Sequence, residues 1–364
     1  MPRSRGCAFS RGIVAGCQRA GVPRFVRSFL PGAAVLVAAS VFSACAHKSA
    51  VPAITSDVSV SAVSERSAIP LWPGPAPGSA RLNLKETITE RSTDKSKPDR
   101  IVTGITQPTL TPFVPPRPNG SALIVASGGG YVREVLDKEG SEVARWFAPR
   151  GMTVFLFKYR LPGEGHEQGR DVPLQDAQRA VRMVRSQCSQ FGVDPSRIGM
   201  MGFSAGGHVA ASLGARFADK VYDPVDEIDG QSARPDFLIL LYPVVSMEEG
   251  LAHGGSRRAL LGDNPTAEQI AAYSPDKAVG PFAPPTLLIL ADDDQSVSPE
   301  NSLRYYSALH RAGVSAEMHI YSQGKHGFGI RAARGMPVAE WPVVAWKWMA
   351  ASGIVGRANE PLSR

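Results

Sequence analysis

Cysteine is scarce in this sequence, and its positions exclude a fold held together by disulfides or zinc. Only four cysteines occur in 364 residues. Cys7 and Cys17 lie in an N-terminal segment that we expect to be removed, which leaves Cys45 and Cys188. No disulfide framework and no zinc-site spacing is present. The fold must therefore rely on a hydrophobic core, which the length and the 43% hydrophobic content allow.

Acidic residues and lysine are absent from the first 44 residues, which hold six of the 40 basic residues, all arginine. The remaining 320 residues carry 34 basic and 33 acidic side chains, so the formal net charge of +7 falls to +1 there. A nucleic-acid-binding protein would keep a basic face on its folded part. The charge distribution therefore argues against a nucleic-acid partner.

The N-terminal arginines lead into the apolar stretch FLPGAAVLVAASVFSAC, which ends at Cys45. This arrangement is typical of a secretory signal, and the run is too short and too early for a membrane span. The residues FSAC resemble the lipobox of bacterial lipoproteins, with Phe42 where leucine is usual, which implies acylation of Cys45. Ordinary cleavage after ACA is the alternative. We predict a signal peptide over residues 1–44 and an exported protein, either a membrane-anchored envelope lipoprotein or a periplasmic or secreted protein.

The rest of the chain predicts a tether, one large domain and a short tail. Residues 45–68 are rich in Ser, Ala and Val without a period, as in a flexible tether. Further on, short apolar runs such as SALIVAS, MTVFLFKY, RIGMMGF and PPTLLILAD alternate with helical patterns. The alternation predicts an α/β fold with a doubly wound, mostly parallel sheet and helices on both faces. We assign residues 69–352 to this domain and 353–364 to the tail.

A single serine stands among glycines at a predicted strand-to-helix turn. The stretch GFSAG places Ser204 at the centre of a G-x-S-x-G pattern, after the strand RIGMMGF and before the helix AGGHVAASLGARFA. In that context the pattern predicts a sharp turn that exposes the serine oxygen at the end of the sheet. A glycine-rich helix cap with serine as a spacer is the alternative, but it leaves the other positions of the pattern unexplained.

A serine hydroxyl needs a base, and the base needs an orienting acid. His326 lies among glycines in SQGKHGFG after the last predicted strand, which makes it the preferred base among seven histidines. His166 and His253 lie in predicted loops, where they could touch substrate.

The preferred acid is Asp294, three residues before Val297, which should pack into the core and orient the turn. Asp293 remains the alternative acid, because three aspartates follow the same strand.

Two further elements of the predicted site are the oxyanion donors and the side chains that line the pocket. The N–H of Ala205 and the N–H groups of the glycine triplet in ASGGGYVREV, Gly128, Gly129 and Gly130, are the expected oxyanion donors. Tyr131 and Arg160 stand beside predicted strand ends and are expected to line the pocket.

These motifs resemble those of α/β-hydrolase-fold serine esterases. The resemblance rests on GGGYVREVLDKEGSEVARWF, KYRLP, LQDAQRAVRMVR, GFSAGGH, ADDDQSVSPENS and GKHGFG, in that order, and covers residues 71 to 349. Relatives of this type include acetyl-xylan esterase-like proteins, some of them called xylanases. The resemblance implies that Ser204, Asp294 and His326 form the triad. It implies that the oxyanion donors are Gly129, Gly130 and Ala205. It also implies that the substrate is a short acyl ester, in particular acetyl on a carbohydrate.

The sequence thus predicts a serine carboxylic-ester hydrolase acting on a small-molecule or oligosaccharide ester, without a metal or an organic cofactor. A true xylanase would need two carboxylic residues flanking the glycosidic bond, and no such pair stands out. A serine peptidase or another acyl hydrolase on the same fold is one alternative. A non-catalytic glycan-binding lipoprotein is the other. The oligomeric state is left open.

Overall fold

The computed structural model describes residues 63–356. The predicted signal peptide, Cys45, most of the predicted tether and residues 357–364 lie outside this range. Twelve strands are present in the described part of the chain. In chain order they are β1 (Ser64–Glu65), β2 (Ile69–Pro70), β3 (Thr87–Glu90), β4 (Arg100–Thr103), β5 (Thr109–Val114), β6 (Gly120–Ala126), β7 (Glu134–Val135), β8 (Thr153–Lys158), β9 (Val193–Phe203), β10 (Phe237–Leu241), β11 (Thr286–Ala291) and β12 (Ala316–Tyr321).

Nine of these strands form one sheet in the order β1-β5-β8-β6-β9-β10-β11-β12, with β2 also paired to β5. The strands from β8 to β12 along this order are parallel, and β5 joins β8 antiparallel. This arrangement confirms the predicted mostly parallel sheet. A second, antiparallel sheet of β3, β4 and β7 was not expected. In it β3 and β4 form a hairpin, and β4 also pairs with β7 from a more distant segment.

Helices cover both faces of the main sheet, as the α/β pattern predicted. Seven α-helices occur between residues 63 and 356. They are α1 (Glu142–Phe147), α2 (Val172–Ser186), α3 (Ser204–Arg216), α4 (Gly254–Leu261), α5 (Ala267–Ala272), α6 (Glu300–Arg311) and α7 (Trp341–Ala351). The buried side chains of α2, α3 and α6 belong to one apolar cluster, and those of α1 and α7 belong to another. Each face of the sheet is therefore buried, which explains the continuous apolar runs of its central strands.

The ends of two helices place residues of interest outside the helices. Helix α2 begins at Val172 and ends at Ser186. Cys188 is half-buried and lies in a short 3-10 turn after the end of α2. Helix α6 begins at Glu300, with Pro299 at its N-cap position. Helices α4 and α5 lack a strong apolar period and were not predicted.

The strand order fixes where a site can form. The chain passes from β6 outward to β8 and then returns to β9, which lies on the other side of β6. The loops after β6 and β9 therefore leave the sheet in opposite directions and open a crevice at the carboxyl ends of these strands. The segments after β11 and β12 end at the same edge, since all these strands are parallel.

Candidate active site

The turn after β9 holds Ser204 in a left-handed backbone conformation, with φ of +51°. Helix α3 starts at this residue. A side chain at Gly202 would collide with the carbonyl group of Gly206, and one at Gly206 would collide with that of Ala126. The two glycines therefore allow the strand, the helix and β6 to approach each other closely, which is the physical reason for the G-x-S-x-G pattern.

The structure brings Ser204, His326 and Asp294 into one chain of hydrogen bonds. The Oγ of Ser204 lies 2.9 Å from Nε2 of His326. The Nδ1 of the same ring lies 2.7 Å from Oδ2 of Asp294. Because a carboxylate only accepts, Nδ1 carries the proton and Nε2 is left to accept from the serine hydroxyl. The arrangement suits transfer of the serine proton to the imidazole.

Backbone contacts separate the two aspartates that the sequence left as alternatives. Oδ1 of Asp294 accepts from the N–H groups of Ser296 and Val297, at 2.8 and 2.9 Å, which aims Oδ2 at the imidazole. Val297 is buried, as expected. Oδ1 of Asp293 instead accepts from the N–H groups of Gly324 and Lys325, at 2.9 and 2.7 Å. Asp293 therefore holds the start of the histidine loop, which we define as residues 322–329.

The glycine triplet lies beside Ser204. We define residues 127–131 as the glycine loop; in it Gly129 and Gly130 have φ of +139° and +68°. Both glycines line a cavity of about 340 Å³ together with Ser204 and His326. Within residues 63–356 neither glycine N–H donates a hydrogen bond, and the N–H of Ala205 lies in the first turn of α3, where no helical partner exists. Three backbone donors are therefore available near the serine.

Glu139 is a buried acid at this site for which the sequence analysis assigned no role. It lies in a single π-helical turn, residues Asp137–Ser141. Its Oε2 accepts from the N–H of Gly128 at 2.8 Å, and its Oε1 accepts from the hydroxyl of Tyr242 at 3.0 Å. π-Helical turns are frequently found at functional sites. Glu139 and Gly140 are the EG pair in the stretch GGGYVREVLDKEGSEVARWF, and this pair was the available sequence signal.

Tyr242, at the end of β10, was also missed. Its ring packs against the ring of His326, with centroids 4.9 Å apart, and its oxygen accepts from the N–H of Gly329 at 3.3 Å. Burial raises the pKa of its hydroxyl well above the ordinary value, and the nearby Glu139 carboxylate raises it further. Tyr242 therefore stays neutral and connects Glu139 to the histidine loop.

Backbone strain is concentrated around the serine. Five non-glycine residues of the described chain have positive φ, namely Tyr131, Gln168, Ser204, Tyr242 and Lys325. All except Gln168 belong to the glycine loop, the serine turn, the end of β10 or the histidine loop. Such conformations cost about 1–3 kcal/mol each and persist where surrounding contacts impose them.

The expectation that Arg160 lines the pocket is wrong. Its side chain is fully buried and forms an ion pair with the equally buried Asp176, at 2.7 Å. The guanidinium also donates to the carbonyl oxygen of Pro77 and to Gln175. Asp176 accepts in addition from the indole N–H of Trp72. The position of Arg160 after β8 suggested the edge of the sheet, but its side chain points to Pro77 and Asp176 instead.

The expectation that the Tyr131 side chain lines the pocket is also wrong, because this side chain points into the interior. Its ring is buried, and its hydroxyl lies 2.7 Å from Nδ1 of His208. Nε2 of His208 donates to the carbonyl oxygen of Tyr273 at 2.8 Å, which fixes the tautomer so that Nδ1 accepts from Tyr131. Burial lowers the pKa of His208 to about 4. The neutral imidazole thus anchors the last residue of the glycine loop.

Of the two other loop histidines that were expected to touch substrate, one lines the cavity and one does not. His253 lines it. His166 lies elsewhere, with its Nδ1 2.9 Å from the hydroxyl of Ser79. Nδ1 of His253 accepts from the N–H of Ser256 at 3.1 Å, so its neutral ring carries the proton on Nε2. Burial lowers the pKa of His253 from its ordinary value, which favours that neutral form.

Two classes of feature are missing from the part of the chain that the structure describes. Between residues 63 and 356, no group of three or more His, Cys, Asp or Glu side chains is arranged to hold a metal ion. Over the same residues, no helix is long and apolar enough to cross a membrane.

Comparison with known proteins places the chain in a family. The model of the BD-FAE family matches residues 113–309, more than half of the chain. The chain belongs to the BD-FAE family. Ser204 and Asp294 lie inside the matched region, and His326 follows it.

Two similar proteins have names that refer to an esterase and to a xylanase. An acetylxylan esterase of Xylanibacter ruminicola is 34% identical over 222 residues, which are 60% of this chain and 43% of the relative. Endo-1,4-beta-xylanase B of Butyrivibrio fibrisolvens is 35% identical over 208 residues, which are 57% of this chain and 32% of the relative. The matched region therefore spans less than half the length of these two relatives.

A solved structure covers more of the chain. An acetyl ester-xyloside bifunctional hydrolase from Caldicellulosiruptor lactoaceticus superposes with a TM-score of 0.65 and 35% identity, over 80% of this chain and 97% of the other. The predicted α/β-hydrolase fold and the resemblance to esterases of this type are confirmed. These similarities support a carboxylic-ester hydrolase.

Proposed function

We propose that the protein is a serine carboxylic-ester hydrolase that removes short acyl groups, acetyl in particular, from a carbohydrate or a small ester. The observation that carries the proposal is the hydrogen-bonded chain from Ser204 through His326 to Asp294, at 2.9 and 2.7 Å. A strained strand-to-helix turn presents its serine. The named relatives supply the preference for acetyl esters.

In the proposed mechanism, Nε2 of His326 takes the proton from Ser204 as its Oγ attacks the acyl carbonyl carbon. The oxyanion accepts from the N–H groups of Gly129, Gly130 and Ala205. Asp294 stabilises the imidazolium, which then donates its proton to the leaving alcohol. Water, deprotonated by the same imidazole, attacks the acyl-enzyme and releases the acid. Losing one oxyanion donor in such a mechanism costs about 10²–10³ in rate.

The cavity favours a small substrate. Its volume of about 340 Å³ lies near the lower end of the range for ligand pockets, about 300–1,000 Å³. This size suits a short acyl group on a small alcohol better than a long acyl chain. We expect kcat/KM on 4-nitrophenyl esters to be highest for acetate and to fall as the chain lengthens. A panel from acetate to decanoate tests this, and a maximum at long chains would contradict it.

Hydrolysis of a glycosidic bond is not favoured. That reaction normally needs two carboxyl groups on either side of the bond. Within the described chain, Glu139 is the single acidic side chain that lines the cavity, and both of its oxygens already accept hydrogen bonds. We expect acetate release from acetylated xylan without a change in the length of the polysaccharide, as measured by acetate assay and chromatography of the same digest.

The two alternatives predict different behaviour. A serine peptidase would cleave peptide 4-nitroanilides as well as esters, whereas we expect cleavage of esters alone. A glycan-binding lipoprotein without activity would bind acetylated oligosaccharides and release no acetate. Measuring both activities on one preparation, with Ser204→Ala as the blank, separates the three.

We also propose export and acylation at Cys45, on the sequence pattern described above. The test is mass spectrometry of the mature protein from a bacterial host. A diacylglyceryl-modified cysteine at the N-terminus supports the anchor. An unmodified Cys45 in the mature chain overturns it and leaves a periplasmic or secreted protein.

A further inference from the structure

The cavity beside Ser204 has more cationic than anionic side chains in its wall, since Glu139 is the single acid there within the described chain. Arg91, Arg133, Lys138 and His253 all contribute to its wall. Arg91 is already paired with Asp99, at 2.8 Å. Within the described chain, neither Arg133 nor Lys138 has a carboxylate within 4.0 Å of a side-chain nitrogen. Two cations without an ion-pair partner in the described chain therefore line the cavity that contains Ser204.

Arg133 lies against the glycine loop. Its Cγ is 3.1 Å from the position that a Cβ would occupy on Gly129. Its Nε is buried and has no hydrogen-bond partner within residues 63–356. A buried donor without a partner is costly, and a charged one more so. A ligand that accepts hydrogen bonds from this guanidinium would remove the cost.

Lys138 lies on the opposite side, against the histidine loop. Its Nζ is 3.8 Å from the position of a Cβ on Gly327, the residue after His326. The carboxylate of Glu139 lines the same cavity, but it lies more than 4.0 Å from Nζ of Lys138, and its two oxygens accept from Gly128 and Tyr242. His253 adds a neutral N–H, since its Nδ1 is occupied by the backbone of Ser256.

We propose that this site selects esters that carry a carboxylate group close to the scissile ester bond, with Arg133 and Lys138 as the residues that bind it. Charge-assisted bonds to a carboxylate are about twice as strong as neutral ones, and the arginine fork can bind both oxygens. The inference rests on the proposed esterase function and specifies its substrate class. The carboxylate can belong to the alcohol, as in an acetylated uronic acid, or to the acyl group, as in a monoester of a dicarboxylic acid.

Matched pairs of substrates test the inference and distinguish the two sources. The first pair is the acetylated methyl glycoside of glucuronic acid and that of glucose. The second pair is 4-nitrophenyl hydrogen succinate and 4-nitrophenyl pentanoate. We expect kcat/KM to be about tenfold higher for the anionic member of one pair, a modest effect because the cations are partly solvated. High salt should reduce the ratio by screening.

Variants assign the effect to the two cations. The double variant Arg133→Met, Lys138→Met should bring the ratio of the anionic to the neutral substrate to about 1, whatever its effect on the neutral substrates. The double variant Lys220→Met, Arg258→Met removes the same charge from exposed positions outside the cavity and should leave the ratio unchanged. A wild-type ratio at or below 1 in both pairs, or a ratio that survives the first double variant, overturns the inference.

A binding measurement separates this inference from the esterase proposal. Calorimetric titration of Ser204→Ala with the same substrates reads affinity without turnover. If no ester is hydrolysed but the anionic members bind more tightly and lose that advantage without Arg133 and Lys138, the selection stands and the esterase proposal falls. If esters are hydrolysed and bind without regard to charge, the esterase proposal stands and the selection falls.

Discussion

The buried carboxylate of Glu139 accepts a hydrogen bond from the hydroxyl of Tyr242 at 3.0 Å. Through this contact the glycine loop and the histidine loop are joined, because Glu139 also binds the N–H of Gly128 and Tyr242 also binds the N–H of Gly329. Glu139 thus fixes the distance between the backbone donors and the imidazole without itself reacting in the proposed mechanism. It is a positioning residue.

Replacing Glu139 tests this role. We expect Glu139→Ala to lower kcat on 4-nitrophenyl acetate by about tenfold to hundredfold with little change in KM, since small displacements of reacting groups are costly. Glu139→Gln should recover much of the loss, because its amide oxygen can accept from Gly128 and its amide nitrogen can donate to Tyr242. Glu142→Ala, in the same segment but ion-paired to Arg331, is the control. Equal losses for Ala and Gln would contradict the positioning role.

The two aspartates at the end of β11 should differ in their contribution to catalysis. Asp294→Asn should lower kcat by about 10⁴, because the asparagine amide cannot hold the required imidazole tautomer. Asp293→Asn should cost less than about tenfold, because its oxygen can still accept from the N–H groups of Gly324 and Lys325. Steady-state kinetics of both variants on one ester provide the comparison. The reverse order would mean that Asp293 is the orienting acid.

Arg160 should matter for stability and not for substrate binding. Arg160→Met leaves Asp176 as a buried charge, which should lower the free energy of unfolding by about 3–5 kcal/mol. Urea unfolding measures this change, with Arg258→Met as an exposed control that should cost less than about 1 kcal/mol. A variant with normal stability and a raised KM would instead indicate that Arg160 contacts the substrate.

Burial of the His208 imidazole should make the free energy of unfolding fall as the pH is lowered. Its pKa falls from 6.5 in the unfolded chain to about 4 in the fold, so the unfolded state binds more protons between these values. Stability from this group is complete above pH 6.5 and is lost as the pH falls towards 4, by at most about 3 kcal/mol. The difference in unfolding free energy between wild type and His208→Gln should therefore shrink by that amount from pH 7 to pH 4. A difference independent of pH would show that the imidazole titrates normally in the fold.

The sequence predicted those parts of the molecule that depend on local pattern. The parallel sheet follows from continuous apolar runs such as those of β10 and β11. The turn at Ser204 follows from glycines that permit close approach of β6 and α3. The choice of Asp294 over Asp293 followed from the spacing to Val297, which does pack into the core.

What the sequence did not predict depends on side-chain direction and on pairing between distant segments. Nothing local shows that Arg160 turns inward to Asp176 or that Tyr131 meets His208. Glu139 and Tyr242 are separated by 103 positions, and only the folded chain places them in contact. In the small sheet, β4 likewise pairs with β7 from a more distant segment of the chain.

Reaction of wild-type protein with a fluorophosphonate probe tests the central proposal most directly. This probe forms a covalent bond only with a serine whose proton is removed by a nearby base. We expect one adduct, located at Ser204 by mass spectrometry of the peptides, none in Ser204→Ala, and labelling of His326→Ala slowed by at least about 10³-fold. No labelling of the wild type, or equal labelling of Ser204→Ala, would contradict the proposed mechanism.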